Sequence, residues 1–181
     1  MVWWGVDRRR FLRTMAAAAP MVAVPGWVSA ALPIEPRVLR FAHLHTAERL
    51  EVAYMERGRY LPAALSQVNH LLRDFRTGDE HDIDPALLDL LHALHASTGS
   101  QRPFEIISGY RSPKTNAMLR SHSGGVASSS LHMQGQAIDI RLADVPLASL
   151  RDAALDLGRG GVGYYPSSNF VHVDTDRVRR W

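Results

Sequence analysis

The chain has 181 residues, no cysteine, and 21 lysines and arginines against 18 acidic residues, a formal charge of +3. That length suits one domain with a proper core and is short for two. Without cysteine, disulfide frameworks, thiolate metal sites and cysteine nucleophiles are excluded, leaving histidine and carboxylate as metal-ligand types.

At the N-terminus, Arg8 and Arg9 stand ahead of Phe11-Leu12, and an apolar, alanine-rich run from Met15 to Ala31 follows. This has the form of a bacterial twin-arginine (Tat) export signal. Pro20, Pro25 and Gly26 interrupt the run, which disfavours a long membrane helix, with a retained N-terminal anchor as the competing reading. Small residues at Val28-Ser29-Ala30 predict cleavage after Ala30 or Ala31. Residues 1–30 are therefore read as the signal and 31–181 as the domain, with the Tat machinery as export partner and the periplasm as destination. Removing the signal takes away four arginines and one aspartate, so Lys+Arg falls from 21 to 17 and Asp+Glu from 18 to 17. The remainder is near neutral, and with no basic stripe or aromatic platform, nucleic-acid binding is excluded.

Alternation in Arg37–Thr46 and again in Arg49–Tyr54 predicts a hairpin. Apolar residues at Leu61, Ala64, Leu65, Val68, Leu71, Leu72 and Phe75 predict a helix across Tyr60–Phe75, ending near Thr77-Gly78. Asp84 followed by Pro85 starts a second helix running to about Ala96. Phe104–Ser108 reads as a buried strand, and Ser112-Pro113 opens a short helix from about Lys114 to Arg120. The Ser/Gly-rich stretch Ser121–Ser130 is expected to be a mobile loop on the rim of a cleft. A third long helix is predicted from Leu147 to Leu157. The glycines from Gly158 to Gly163 are read as its end and a turn, and no repeats are visible.

Chemistry concentrates in Ser130-Leu131-His132-Met133-Gln134-Gly135-Gln136-Ala137-Ile138-Asp139 and, about thirty residues on, Phe170-Val171-His172-Val173-Asp174. A catalytic zinc site takes three nitrogen or oxygen ligands and leaves a position open for water. His132, Asp139 and His172 are the candidates for one Zn2+ per chain. Ile138, Ile140, Val171 and Val173 alternate with Asp139 and His172 as strands do, so His172 and Asp174 should share a face. His43 and His45 lack a completing acid and are expected to be structural. His92 and His95 are expected to be exposed, and Trp181 to pack terminally on the core, with stacking on substrate by Trp181 and Tyr164-Tyr165 as the alternative.

The spacing S-x-H-x-x-G-x-A-x-D with a later strand histidine, preceded by Ser108-Gly109-Tyr110-Arg111-Ser112, resembles the zinc DD-peptidase and Hedgehog-like peptidase family, in its Tat-exported branch. The likeness covers about Arg37 to Trp181. It implies an α+β fold, a small antiparallel sheet with helices packed on one side, and a periplasmic zinc endopeptidase acting on peptidoglycan stem-peptide crosslinks by zinc-activated water; the chain is separately expected to be a monomer. A D-alanyl carboxypeptidase and a non-catalytic zinc-containing peptidoglycan-binding protein are the alternatives. Arg111 matches the arginine that stabilises the oxyanion or grips substrate in this family, because a guanidinium stays charged and forks onto two oxygens. Ser130 and His122, at the cleft rim, are further candidate substrate contacts. The family often carries an acid three residues before the last histidine, but this chain has Asn169, which accepts no proton at neutral pH. Asp174 is the replacement candidate for general base, with Asp176 behind it. The competing role for Asp174 is to orient a ligand histidine through its other ring nitrogen.

Overall fold

The computed structural model describes Met1 and residues 35–122 and 127–181. The expected export signal and its cleavage site lie outside the described residues. Among the described residues, no helix is long and apolar enough to cross a membrane.

The predicted hairpin forms as β1 (Arg37–His43) and β2 (Arg49–Glu56), and a two-residue β3 (Arg59–Tyr60) adds to its edge. Helix α1 is shorter than its periodicity suggests, running Pro62–Leu71. Pro62 sets the start, since proline suits the first turn of a helix, and the chain leaves helical geometry at Leu72. Phe75 therefore lies outside the helix and stacks on His45 at 4.1 Å. Helix α2 (Pro85–Thr98) is capped by the Asp84 carboxylate, which accepts from the Ala86 N–H, and ends on left-handed Gly99. Strand β4 (Phe104–Ser108) and helix α3 (Pro113–His122) follow, the latter extending into what the sequence suggested was loop. A 3₁₀ turn (Leu131–Gln134) leads into β5 (Ala137–Arg141), and α4 (Leu147–Leu157) matches its predicted span.

Beyond α4 the sequence reading needs correction. The glycine-rich stretch is a turn only at its beginning and then becomes β6 (Gly161–Tyr165), followed by a 3₁₀ turn (Pro166–Ser168), β7 (Phe170–Asp174) and β8 (Arg179–Arg180). Glycine is a poor strand former, so composition concealed β6.

The strands make one eight-stranded sheet in the order β3-β2-β1-β4-β5-β7-β6-β8. It is mixed rather than purely antiparallel, because β1 pairs with β4, and β6 with β8, in parallel. Between β1 and β4 the chain passes through a hairpin and two helices and returns running the same way, the long crossover that parallel pairing needs. The core is formed by Leu87, Leu88, Leu91 and Leu94 of α2 with Phe41, Phe104, Ile106, Ile138, Ile140 and Val171 from the strands. Helices α2 and α4 pack together, and α4 also contacts β6 and β7.

His43 is buried at the end of β1, where its Nδ1 accepts from the N–H groups of His45 and Thr46. Burial lowers its pKa to about 4, consistent with the structural role expected of it. His92 and His95 are half-buried rather than exposed. Their rings meet Tyr54 and Phe104 edge-on, and a His95 ring nitrogen bonds the Arg102 carbonyl.

Candidate metal centre

Strands β5 and β7 lie side by side in antiparallel register with Asp139 directly opposite His172. Directly opposed residues project to the same side of a sheet. Their neighbours Ile138, Ile140, Val171 and Val173 enter the core, so alternation places Asp139 and His172 on the other face. The 3₁₀ turn before β5 brings in His132. That turn closes on Gly135 at φ 68°, with the Asp82 carbonyl pressed where a side chain would begin. Only glycine combines that backbone with that contact.

The three candidate ligands converge. His172 Nδ1 lies 2.9 Å from Asp139 Oδ1, His132 Nε2 lies 3.3 Å from the same oxygen, and the two ring nitrogens are 3.2 Å apart. Ligand bonds of zinc length at tetrahedral angles require spacings of roughly 3.3 Å. The remaining ring nitrogens are also occupied. His132 Nδ1 is 2.8 Å from the Gly109 carbonyl oxygen, to which it donates. His172 Nε2 donates to Asp174 Oδ2 at 3.1 Å. These bonds fix both tautomers, leaving lone pairs on His132 Nε2 and His172 Nδ1 to face the Asp139 carboxylate. Two acceptors and an anion aimed at one point repel each other unless a cation lies between them, so the donor set fits a divalent metal. Among the described residues this is the one such cluster of metal-binding side chains.

Without an ion between them, the same repulsion is relieved by a proton on His172, whose bonds to Asp139 and Asp174 favour the imidazolium. Burial pushes His132 below its ordinary value. Burial works to raise the Asp139 carboxyl, but His132 and His172 beside it hold it well below the usual carboxylate range. Burial opposes protonation of His172 too, yet its bonds to Asp139 and Asp174 raise it to about 9. Asp174 is pulled down to about 2 against its burial by His172 and the N–H groups of Gly161 and Asp176.

The candidate ligands open onto a cleft of about 580 Å³ whose lining includes Arg111, Ser130, Tyr165, Phe170, Arg179 and Trp181. The Arg111 guanidinium is 12% exposed, with Nη2 3.6 Å from Asp139 Oδ2 and Nε buried without a partner. Its loop is anchored twice: the Arg111 N–H donates to the His132 carbonyl, and the buried carboxylate of Asp74 accepts from the Ser112 N–H. Ser130 lines the cleft, as expected. His122 is not among the lining residues; its Nδ1 turns back to the Met118 carbonyl on its own helix.

Asp174 is fully buried, and besides His172 it accepts from the Gly161 N–H and from Arg179. Asp176 is exposed and pairs with Arg179 at 3.2 Å. Asn169 takes a left-handed backbone conformation, φ 55°, and lines a separate hollow with Glu105 and Arg141. Among the described residues, Asp139 is the sole carboxylate side chain lining the cleft. The sequence reading missed Arg179, which carries no recognisable motif. It also placed Trp181 on the core, whereas the ring is half-exposed, packs 5.3 Å from His172 and donates to the Tyr165 hydroxyl.

Comparison with known proteins identifies relatives of the chain. The family model described as peptidoglycan L,D-endopeptidase MepK matches residues 31–181. The Escherichia coli K12 peptidoglycan L,D-endopeptidase MepK is 40% identical over 177 residues, covering 97% of each chain. A probable peptidoglycan L,D-endopeptidase MepK from Haemophilus influenzae is 41% identical over 177 residues, covering 97% of this chain and 95% of its own. With a family model matched over residues 31–181 and a relative 40% identical over nearly the full length of both chains, the chain belongs to the MepK peptidase family.

Proposed function

We propose that this peptidase is exported by the Tat route to the periplasm and cuts peptide crosslinks between peptidoglycan stem peptides, using one Zn2+ held by His132, Asp139 and His172. The observation that carries this reading is the convergence of three ligand atoms at 2.9–3.3 Å with both histidine tautomers fixed from outside. The relatives' names make an L,D-bond the expected scissile bond. When bound, zinc polarises a peptide carbonyl and brings the pKa of water towards neutrality.

The chain's own residues supply the rest. Arg111 presents a permanent positive charge at the cleft wall, where it stabilises negative charge developing on the substrate carbonyl oxygen. Ser130 contacts the substrate at the rim. Asp174 acts as the carboxylate that holds the His172 tautomer rather than as a proton acceptor for water. Its oxygens are taken up by His172, Gly161, Asp176 and Arg179, and it does not line the cleft. The chain acts as a monomer.

Digestion of purified crosslinked muropeptides by the zinc-loaded protein, read by mass spectrometry, tests the reading. Conversion of dimers to monomers by cleavage of an L,D-bond is expected. Release of free D-alanine alone would make the chain a carboxypeptidase, with Arg111 holding the terminal carboxylate, and no product would leave a zinc-containing binding protein.

A further inference from the structure

The C-terminal strand bonds to the far side of the metal centre. Arg179 Nη2 lies 2.8 Å from Asp174 Oδ2, the oxygen that accepts from His172 Nε2, and Nη1 lies 3.2 Å from Asp174 Oδ1. The guanidinium thus meets both oxygens of a fully buried carboxylate, a fork-on-fork geometry that fixes the carboxylate plane. The guanidinium itself sits 5.1 Å over the Trp181 ring, and that ring packs against His172. Glycine at 161 makes room for the pair: a Cβ there would come within 2.5 Å of Asp174 Oδ2 and 2.7 Å of Arg179 Nη1. A buried carboxylate met only by an imidazole and the backbone N–H groups of Gly161 and Asp176, with no charged partner, would be costly. Arg179 supplies the compensating charge, so Asp174 stays ionised and keeps its lone pair on the His172 N–H.

We infer that Arg179 is a positioning residue of the metal centre, acting through Asp174 to hold His172 Nδ1 toward the ion. This rests on the metal reading given above. Groups that orient ligand histidines typically contribute tenfold to a hundredfold in metal affinity.

The test is a chelator competition that measures zinc affinity in the full chain, on the wild type, Arg179→Gln, Arg179→Lys, Asp174→Asn and the double variant Arg179→Gln/Asp174→Asn, with circular dichroism of each metal-free protein. Arg179→Gln should weaken zinc roughly tenfold or more, and Arg179→Lys should recover part of it by restoring the charge without the fork. The double variant should be no weaker than Asp174→Asn, because residues acting through one contact are not additive. Gly161→Ala, which crowds the pair without touching either charge, should mimic Arg179→Gln and serves if that variant misfolds. Unchanged zinc affinity in Arg179→Gln and Gly161→Ala, or full additivity in the double variant, would overturn the inference. So would a raised KM with normal zinc binding, which would make Arg179 a substrate contact. Absence of zinc binding by the wild type would instead overturn the metal reading itself.

Discussion

Strands β5 and β7 carry two opposite kinds of chemistry on alternate residues. On one face Ile138, Ile140, Val171 and Val173 are sealed into the core against the leucines of α2. On the other, one residue along, Asp139, His172 and Asp174 are nearly as buried but polar, and are held by Arg111, His132 and Arg179. The first face lowers the free energy of the fold by removing apolar area from water. The second gains little by itself, since buried ion pairs roughly offset their own desolvation, and its arrangement becomes favourable when a cation joins it. The rigid apolar face holds the strand register that puts Asp139 opposite His172, and the polar face uses that register for chemistry.

The two faces can be separated experimentally. Ile140→Ala should destabilise the fold by about 2–5 kcal/mol, the usual cost of emptying a core site, with and without metal, measured by denaturant unfolding. His132→Ala should leave the core intact but abolish crosslink cleavage. It should also remove the metal's contribution to stability, which in the wild type reaches about 4 kcal/mol when free zinc exceeds its dissociation constant a thousandfold. A zinc-induced rise in the melting temperature of His132→Ala equal to the wild type's would contradict the division.

Asp174 sharpens the comparison, because it belongs to the polar face yet does not reach the cleft. If it orients His172, Asp174→Asn should lose roughly tenfold to a hundredfold in zinc affinity, with turnover largely restored at saturating zinc. If it were the base, zinc affinity would hold while turnover fell roughly a hundredfold to ten-thousandfold. Chelator titration alongside kinetics separates the two.

Much of the candidate site was legible because metal ligation favours specific residue types at specific spacings. His132, Asp139 and His172 were nameable as candidates from ligand type and strand alternation, and the structure brings their ligand atoms together; Arg111 was nameable from its resemblance to a known segment, and it lines the same cleft. Other features depended on tertiary context. Glycines at 161 and 163 disguised a strand, because their value lies in what they let approach: Asp174 and Arg179 at the first, Trp181 at the second. Arg179 meets Asp174 across an irregular turn with no periodic pattern. The residue before β7 could not be oriented from sequence either. A count of three back from His172 reaches Asn169, but its left-handed backbone lies at the edge of a different hollow.

Two smaller effects follow from the supports of the site. Asp74, 1% exposed, has its carboxyl lowered to about 2, because hydrogen bonds from Thr115, Ser112 and Arg76 outweigh the upward effect of burial. A depressed carboxylate stabilises the fold above its unfolded pKa of about 4, and this is lost as pH falls towards 2. The contribution is about 2 kcal/mol. Asp74→Asn should therefore flatten the acid limb of the stability profile between pH 4 and 2, measured by denaturant unfolding across that range (both limits from about the two pKa values). Asn169→Asp should change least of all: aspartate tolerates the left-handed backbone nearly as well as asparagine, and the position does not line the cleft. Cleavage rates within about twofold of wild type are expected, whereas a large gain would mean that residue 169 reaches the reacting water.

The central claim is that a single metal ion sits among His132, Asp139 and His172. Metal analysis of the purified chain after equilibration with zinc and removal of excess tests it most directly, comparing the wild type with His132→Ala, Asp139→Ala and His172→Ala, each checked for folding by circular dichroism. The account predicts one zinc per wild-type chain and a sharp loss in each folded variant; full zinc content in any of the three would contradict it.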